Sequence, residues 1–218
     1  MSTLHTHSLP EFELNTPKLI RSITAQYDED GLIIYQAYKP QIAQYAVAHQ
    51  AFGGPFKLGR MTWIKPNFLW MMHRAGWASK EDQERILAIK LSHEFFQLLL
   101  DRAVLSTYTE RIHGSREGWK FALSNSEVRV QWDPAYNLFD QRQDYRAIQI
   151  GIKGGIARRY ALEDPLSIED ITPFVRAQYQ LLKDRRFDEI QLPVEQEYRV
   201  RGSVEVKLGM DGQQVEAV

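Results

Sequence analysis

Residues Arg60 to Trp77 read RMTWIKPNFLWMMHRAGW, a strand pattern joined directly to a helix pattern. Arg60 to Ile64 alternates and is rich in β-formers, so it reads as a strand. Lys65 stands before a proline, which biases it to an extended backbone. Pro66 suits the first turn of a helix, which Asn67 to Ala75 continue. Trp70, Met71 and Met72 fit a helix buried on most faces. Arg60, Thr62 and Lys65 are different, because cations are seldom buried without a partner. A strand end carrying polar groups beside a helix start with free N–H groups is a common way to build an anion pocket.

Lys18 to Tyr27 alternates as a strand, Asp28-Glu29-Asp30-Gly31 signals a turn, and Leu32 to Gln36 reads as a second strand, so the two suggest a hairpin. Lys39-Pro40 opens a helix with Ile42, Tyr45, Ala46 and His49 at helical spacing, and Ala51 to Pro55 ends it. Ser79 is a possible N-cap with Asp82 in the following turn. Arg85 to Leu91 reads as a strand, and Ser92 caps an amphipathic helix through Leu105. Ser106 to Ser126 reads as a long mixed loop that includes Trp119, and such loops are usually functional or disordered. Glu127 to Trp132 and Arg146 to Ile152 read as strands. Lys153-Gly154-Gly155 reads as a turn, Ile156 to Leu162 as a return strand, and Asp170 to Lys183 as a helix. Tyr198 to Val200 and Val204 to Leu208 are β-like patches in a polar tail. The mixed order and hairpin-like turns give an α+β class with a mixed or mostly antiparallel sheet flanked by helices. The expected organisation is an irregular N-terminal arm over 1–17, a single domain over 18–190 and a polar C-terminal extension over 191–218.

Composition narrows the chemistry. The chain has 218 residues, with 27 Lys and Arg against 28 Asp and Glu, so no global field draws it to nucleic acid or an anionic membrane and any anion site must be a local cluster. It has no cysteine, which excludes disulfides, thiol nucleophiles and thiolate metal sites. The leading MSTLHTHSLPEFEL has no apolar signal core, and no apolar run reaches the length of a membrane span, so a cytoplasmic protein is expected. His5 and His7 lack an obvious third ligand, and no metal is expected. There is no Gly-x-Ser-x-Gly elbow. Phe52-Gly53-Gly54-Pro55 and Lys153-Gly154-Gly155 lack phosphate-loop spacing.

What remains is a set of amides and cations at strand ends: Arg21, Gln36, Arg60, Thr62, Lys65 and Gln149. A buried Gln donates and accepts together, which suits an amide or a base edge. A neighbouring Arg or Lys suits phosphate. Tyr35, Tyr38 and Trp63 offer rings for stacking on a planar ligand. Arg142, Arg146, Lys153, Arg158, Arg159 and the Trp119 loop suggest an alternative, a module binding RNA or single-stranded nucleic acid without catalysis.

At these residues the chain resembles a domain-of-unknown-function family of bacterial and fungal proteins. The likeness is carried by Leu19 to Ile23 with Tyr27-Asp28, Tyr35 to Tyr38, RMTWIKPNFLWMM with Gly76-Trp77, Gln131 to Pro134 and Arg146 to Gly151. More distantly it resembles the ADP-ribosyltransferase fold, with Tyr35-Gln36-Ala37-Tyr38 before the Pro40 helix, Thr62-Trp63 before the Pro66 helix, and Gln149 on a late strand. Gln36 stands where that fold usually has His or Arg, and Gln149 where a Glu is common. The resemblance implies a nucleotide-using transferase that takes NAD as cofactor and modifies a nucleic-acid or protein acceptor. It implies that Arg21, Tyr35, Gln36, Thr62, Trp63 and Lys65 bind the cofactor, with Gln149 and Arg60 as catalytic groups.

Overall fold

The computed structural model describes residues 4–14, 17 and 19–210. In chain order the elements are β1 (Thr6–Ser8), α1 (Leu9–Leu14), β2 (Thr24–Ala25), β3 (Gly31–Tyr38), α2 (Pro40–His49), β4 (Thr62–Ile64), α3 (Phe68–Ala75), β5 (Arg85–Ser92), α4 (His93–Arg102), β6 (Ala103–Leu105), α5 (Glu110–His113), α6 (Arg116–Asn125), β7 (Val128–Tyr136), β8 (Arg142–Ile152), α7 (Gly154–Leu162), β9 (Pro165–Asp170), α8 (Thr172–Lys183), β10 (Gln191–Pro193), β11 (Gln196–Glu197) and α9 (Gly202–Leu208). The class is α+β, and most strand pairs are antiparallel.

One sheet has the order β3-β5-β9 and is antiparallel throughout. Its strands are apolar on both faces, and the alternation of side chains assigns each residue to one of two cores. Leu32, Ile34, Leu87, Ile89 and Leu91 join a core with residues of α2, α4, α7 and α9. Ile33, Tyr35, Ile86 and Ala88 face the other way, into a core with α3 and Val175 of α8. The second sheet has the order β4-β8-β7-β6, with β6 and β7 parallel. The two sheets are stitched where the Tyr35 backbone N–H donates to the Lys65 carbonyl at 2.7 Å, just past the end of β4.

The strand-to-helix run folds as its pattern suggests, with both boundaries shifted: the strand covers only Thr62–Ile64, leaving Arg60 and Met61 in the preceding loop. Asn67, not Pro66, begins the helix: its Oδ1 accepts the Trp70 N–H at 2.8 Å. Gly76 ends α3 in a left-handed conformation, φ 57. Phe68, Leu69, Trp70, Met71 and Met72 are buried, each contributing roughly 1.5–3 kcal/mol of apolar burial.

Several local expectations are corrected. Residues 19–27 form no continuous strand; only Thr24–Ala25 pairs, with β11, flanked by single bridges from Arg21 to Arg146 and from Tyr27 to Leu32. Lys18 lies outside the described residues. Ser79 to Gln83 is a turn, with Asp82 at φ 61. The helix after Ser92 stops at Arg102, and Ala103–Leu105 becomes β6. The expected loop over 106–126 holds α5 and α6, the latter capped by Ser115. Ile156 to Leu162 is helical, because Ile156, Ala157, Tyr160 and Ala161 put one face into the core at helical spacing. Val204 to Leu208 is helical too, with Val204 and Leu208 in the same core. Near the N-terminus β1 pairs with β10; residues 1–3, 15–16 and 211–218 lie outside the described part.

A candidate active-site cleft

The open end of β3, the β4 strand and α3 enclose a cleft of about 480 Å³. Its rim takes in the loop from Pro55 to Met61 and the turn at Asp82-Gln83. Five cations line it, Lys39, Lys57, Arg60, Lys65 and Arg74, against one carboxylate, Asp82. In a chain of net charge -1 this is a strong local concentration of positive charge. Tyr38, Phe56 and Trp63 give it aromatic walls. The Trp63 indole lies over Gly151 of β8, where an added Cβ would come within 2.9 Å of the ring. The missing side chain makes room for the indole against the sheet.

Of the residues singled out in the sequence, Gln36, Arg60, Thr62, Trp63 and Lys65 meet in this cleft. Gln36 is only 3% exposed and fully committed. Its Nε2 donates to Thr62 Oγ1 and to the Trp63 carbonyl, both at 2.9 Å. Its Oε1 accepts the Tyr160 hydroxyl. Gln36 therefore holds Thr62 and Trp63 in place and has no free group for a ligand amide. Tyr38 shares a hydrogen bond with Thr62 Oγ1 at 3.2 Å, and burial raises its phenol above the usual range.

Lys65 is the unusual member. It is 8% exposed, its Nζ donates to the Trp63 carbonyl at 3.2 Å, and it sits 5.0 Å from the Trp70 ring centroid. Burial pulls its pKa down to about 7, and the Arg74 charge pushes the same way, while Asp133 opposes. Burial in turn raises Asp133, whose carboxylate accepts the Gln131 side-chain N–H at 2.8 Å.

The other candidates lie elsewhere. Tyr35 is fully buried, and its ring meets Phe68 edge-on at 5.4 Å in the α3 core. On β3 Tyr35 points to the face opposite Gln36, into the α3 core, and does not line the cleft. The Arg21 guanidinium donates to the Gly209 carbonyl at 3.3 Å and does not line the cleft. Gln149 lies on β8 opposite Gln131, on the face shared by Gly151, and also stands outside the lining. The alternative nucleic-acid cations are dispersed. Arg142 and Lys153 bracket the long strand β8, roughly 35 Å apart at the rise of a strand. Arg159 pairs with Asp164 at 2.9 Å. Trp119 is tied to the Leu105 carbonyl at 2.9 Å.

Sequence reasoning passed over Glu195. This fully buried carboxylate closes the start of α3: Oε1 accepts the Phe68 N–H at 2.5 Å and Oε2 the Asn67 side-chain N–H at 2.8 Å. Burial raises its pKa to about 8, against the lowering effect of those hydrogen bonds. Nothing local in the polar tail marks it, because its partners are far away in sequence. A larger hollow of about 650 Å³ lies against the other face of α3, around His73, Trp77 and Tyr179. None of the candidates read from the sequence lines it.

No helix among the described residues is long and apolar enough to cross a membrane. Among the same residues no group of three or more His, Asp or Glu is placed to hold a metal ion. No curated protein matches the chain. The model of the family described as "Domain of unknown function (DUF4291)" matches residues 22–198, and the chain belongs to that family.

Proposed function

We propose that the cleft binds a nucleotide through its phosphates and that the protein is a nucleotide-using transferase, with NAD as cofactor and a nucleic acid or protein as acceptor. The observation that carries this reading is the four cations Lys39, Lys57, Arg60 and Arg74 gathered with a single carboxylate beside the Trp63 and Tyr38 rings. Exposed Arg60, Arg74 and Lys57 suit the pyrophosphate, since Arg presents a fork to phosphate oxygens. Trp63, braced on Gly151, suits stacking on a planar ring. The Thr62 hydroxyl, oriented by Gln36, suits a ribose hydroxyl. NAD would supply the ADP-ribosyl group. The chain contributes position, its cations anchoring the pyrophosphate so that the ribose carbon is held for transfer, and positioning can carry much of such catalysis without a strong base. Gln149 keeps an acceptor-side role in this reading, on the neighbouring strand.

A thermal-shift panel with NAD, ADP-ribose, ATP, and short RNA and DNA tests it. Ligand at a hundred times its dissociation constant stabilises a fold by about 2.7 kcal/mol, a shift of roughly a few degrees at this size. NAD is expected to raise the midpoint of the wild-type protein and not of Arg60→Ala or Arg74→Ala. A flat response to NAD and ADP-ribose overturns the proposal, and an oligonucleotide shift alone puts the nucleic-acid module in its place.

A further inference from the structure

Lys65 differs from the other cleft cations in being almost cut off from water. Lys57, Arg60 and Arg74 are exposed, whereas Lys65 is buried at the cleft wall. Among the described residues no carboxylate lies within 4.0 Å of its Nζ. The charges that act on it are Arg74 from α3 and Asp133 from β7, and Asp133 is itself held partly by Arg146 of β8. Burial brings the pKa of this lysine down to about 7, so far more of it is neutral at pH 7 than the roughly 0.03% of an ordinary lysine. A desolvated amine beside a second cation is how lysines are activated as nucleophiles toward carbonyl carbon. The exposed cations around it supply the complement to a phosphate.

We propose that Lys65 is a reactive-amine site that forms an imine with small phosphorylated aldehydes or ketones. The Nζ lone pair attacks the carbonyl carbon, and the carbonyl π pair moves to oxygen, which takes a proton. Nitrogen gives up its first proton as the carbinolamine forms and its second once the protonated hydroxyl has left as water, so both amine protons end on the water, and a C=N bond replaces C=O. Amine and carbonyl compound thus give imine and water, with no oxidant or cofactor. The site goes beyond the nucleotide reading and holds whether or not NAD binds.

The test uses the full chain at pH 7 with one equivalent of pyridoxal 5′-phosphate, borohydride reduction, and mass mapping of the modified lysines. Lys65 is expected to carry at least tenfold more adduct than exposed Lys57 or Lys120. Its labelling is expected to level off above about pH 7, while labelling of exposed lysines keeps rising. Arg74→Ala is expected to lower labelling at Lys65, and Lys65→Arg to abolish the preferred adduct. Adduct spread over exposed lysines without enrichment at Lys65 overturns the proposal, and the mapping on wild-type protein decides this even if a variant fails to fold. Equal labelling of Lys65 by unphosphorylated pyridoxal overturns the phosphorylated class. Because the readout is an adduct, it stands or falls separately from the NAD thermal shift.

Discussion

The Tyr160 hydroxyl on α7 donates to the side-chain oxygen of Gln36 on β3, 124 residues away in sequence. Through the two N–H groups of Gln36 this contact reaches Thr62 and the Trp63 carbonyl, and the same carbonyl accepts the Lys65 amine. A single polar chain thus runs from the main core to the cleft wall. Tyr160→Phe leaves the buried Gln36 oxygen without a donor. It is expected to cost about 1–3 kcal/mol, read as a lower urea midpoint at unchanged slope.

Glu195 gives a pH signature. A carboxylate whose folded pKa is raised binds more protons in the folded state between its ordinary value and the raised one. Stability therefore falls as pH rises from 4.5 to about 8. Glu195→Ala is expected to remove that slope. It leaves the Phe68 N–H without its acceptor and the Asn67 amide with only its 3.4 Å bond to Thr24 Oγ1, so it also destabilises, by roughly 1–3 kcal/mol at pH 5 and by less at pH 8. Denaturant melts across this pH range check both parts.

Lys65 acts in the opposite sense. A lysine with a lowered folded pKa is penalised wherever the unfolded chain holds the extra proton. Its penalty is absent above pH 10.5, grows as pH falls and is complete below about 7. Lys65→Met is expected to stabilise the fold at pH 7 by roughly 1–3 kcal/mol, since an apolar side chain of similar length avoids the desolvation of a charge. The gain should shrink toward pH 10. Equal melting midpoints for variant and wild type at pH 7 would contradict the buried-amine account.

Gly151→Ala places a methyl group 2.9 Å from the Trp63 ring and the Met61 sulfur. The indole has to move, at an expected cost of about 1–3 kcal/mol. A changed tryptophan emission and a weaker response to any ring-bearing cleft ligand would register the displacement. An unchanged spectrum would mean that Trp63 does not rest on this strand.

Legibility in the sequence followed the range of the forces involved. The Arg60 to Trp77 run was readable because its alternation, its proline and its helical apolar stripe are all local. Ile156 to Leu162 was misread because Lys153-Gly154-Gly155 looks like a hairpin turn. In the structure Gly154, at φ 62, instead starts a helix whose Gly155 N–H donates to Glu127 at 2.6 Å. The polar character of Gln36, Thr62 and Lys65 was legible, and so was their clustering at strand ends. The commitment of Gln36 to Tyr160, the burial of Lys65 and the role of Glu195 were not, since each depends on a partner brought in by topology. Arg21 and Tyr35 were plausible by residue type and are taken up by a carbonyl and an apolar core.

The bond between Glu195 and Phe68 also bears on timing. The helix start that frames the cleft is completed by a residue 127 positions later. At translation rates of about 5–20 residues per second, the first half of that contact waits roughly 6–25 s for the second. Until then α3 has no acceptor for its first N–H, and the wall carrying Arg74 is unanchored. The lining of the cleft, Gln36 to Gln83, is therefore made long before the carboxylate that fixes the start of its helical wall.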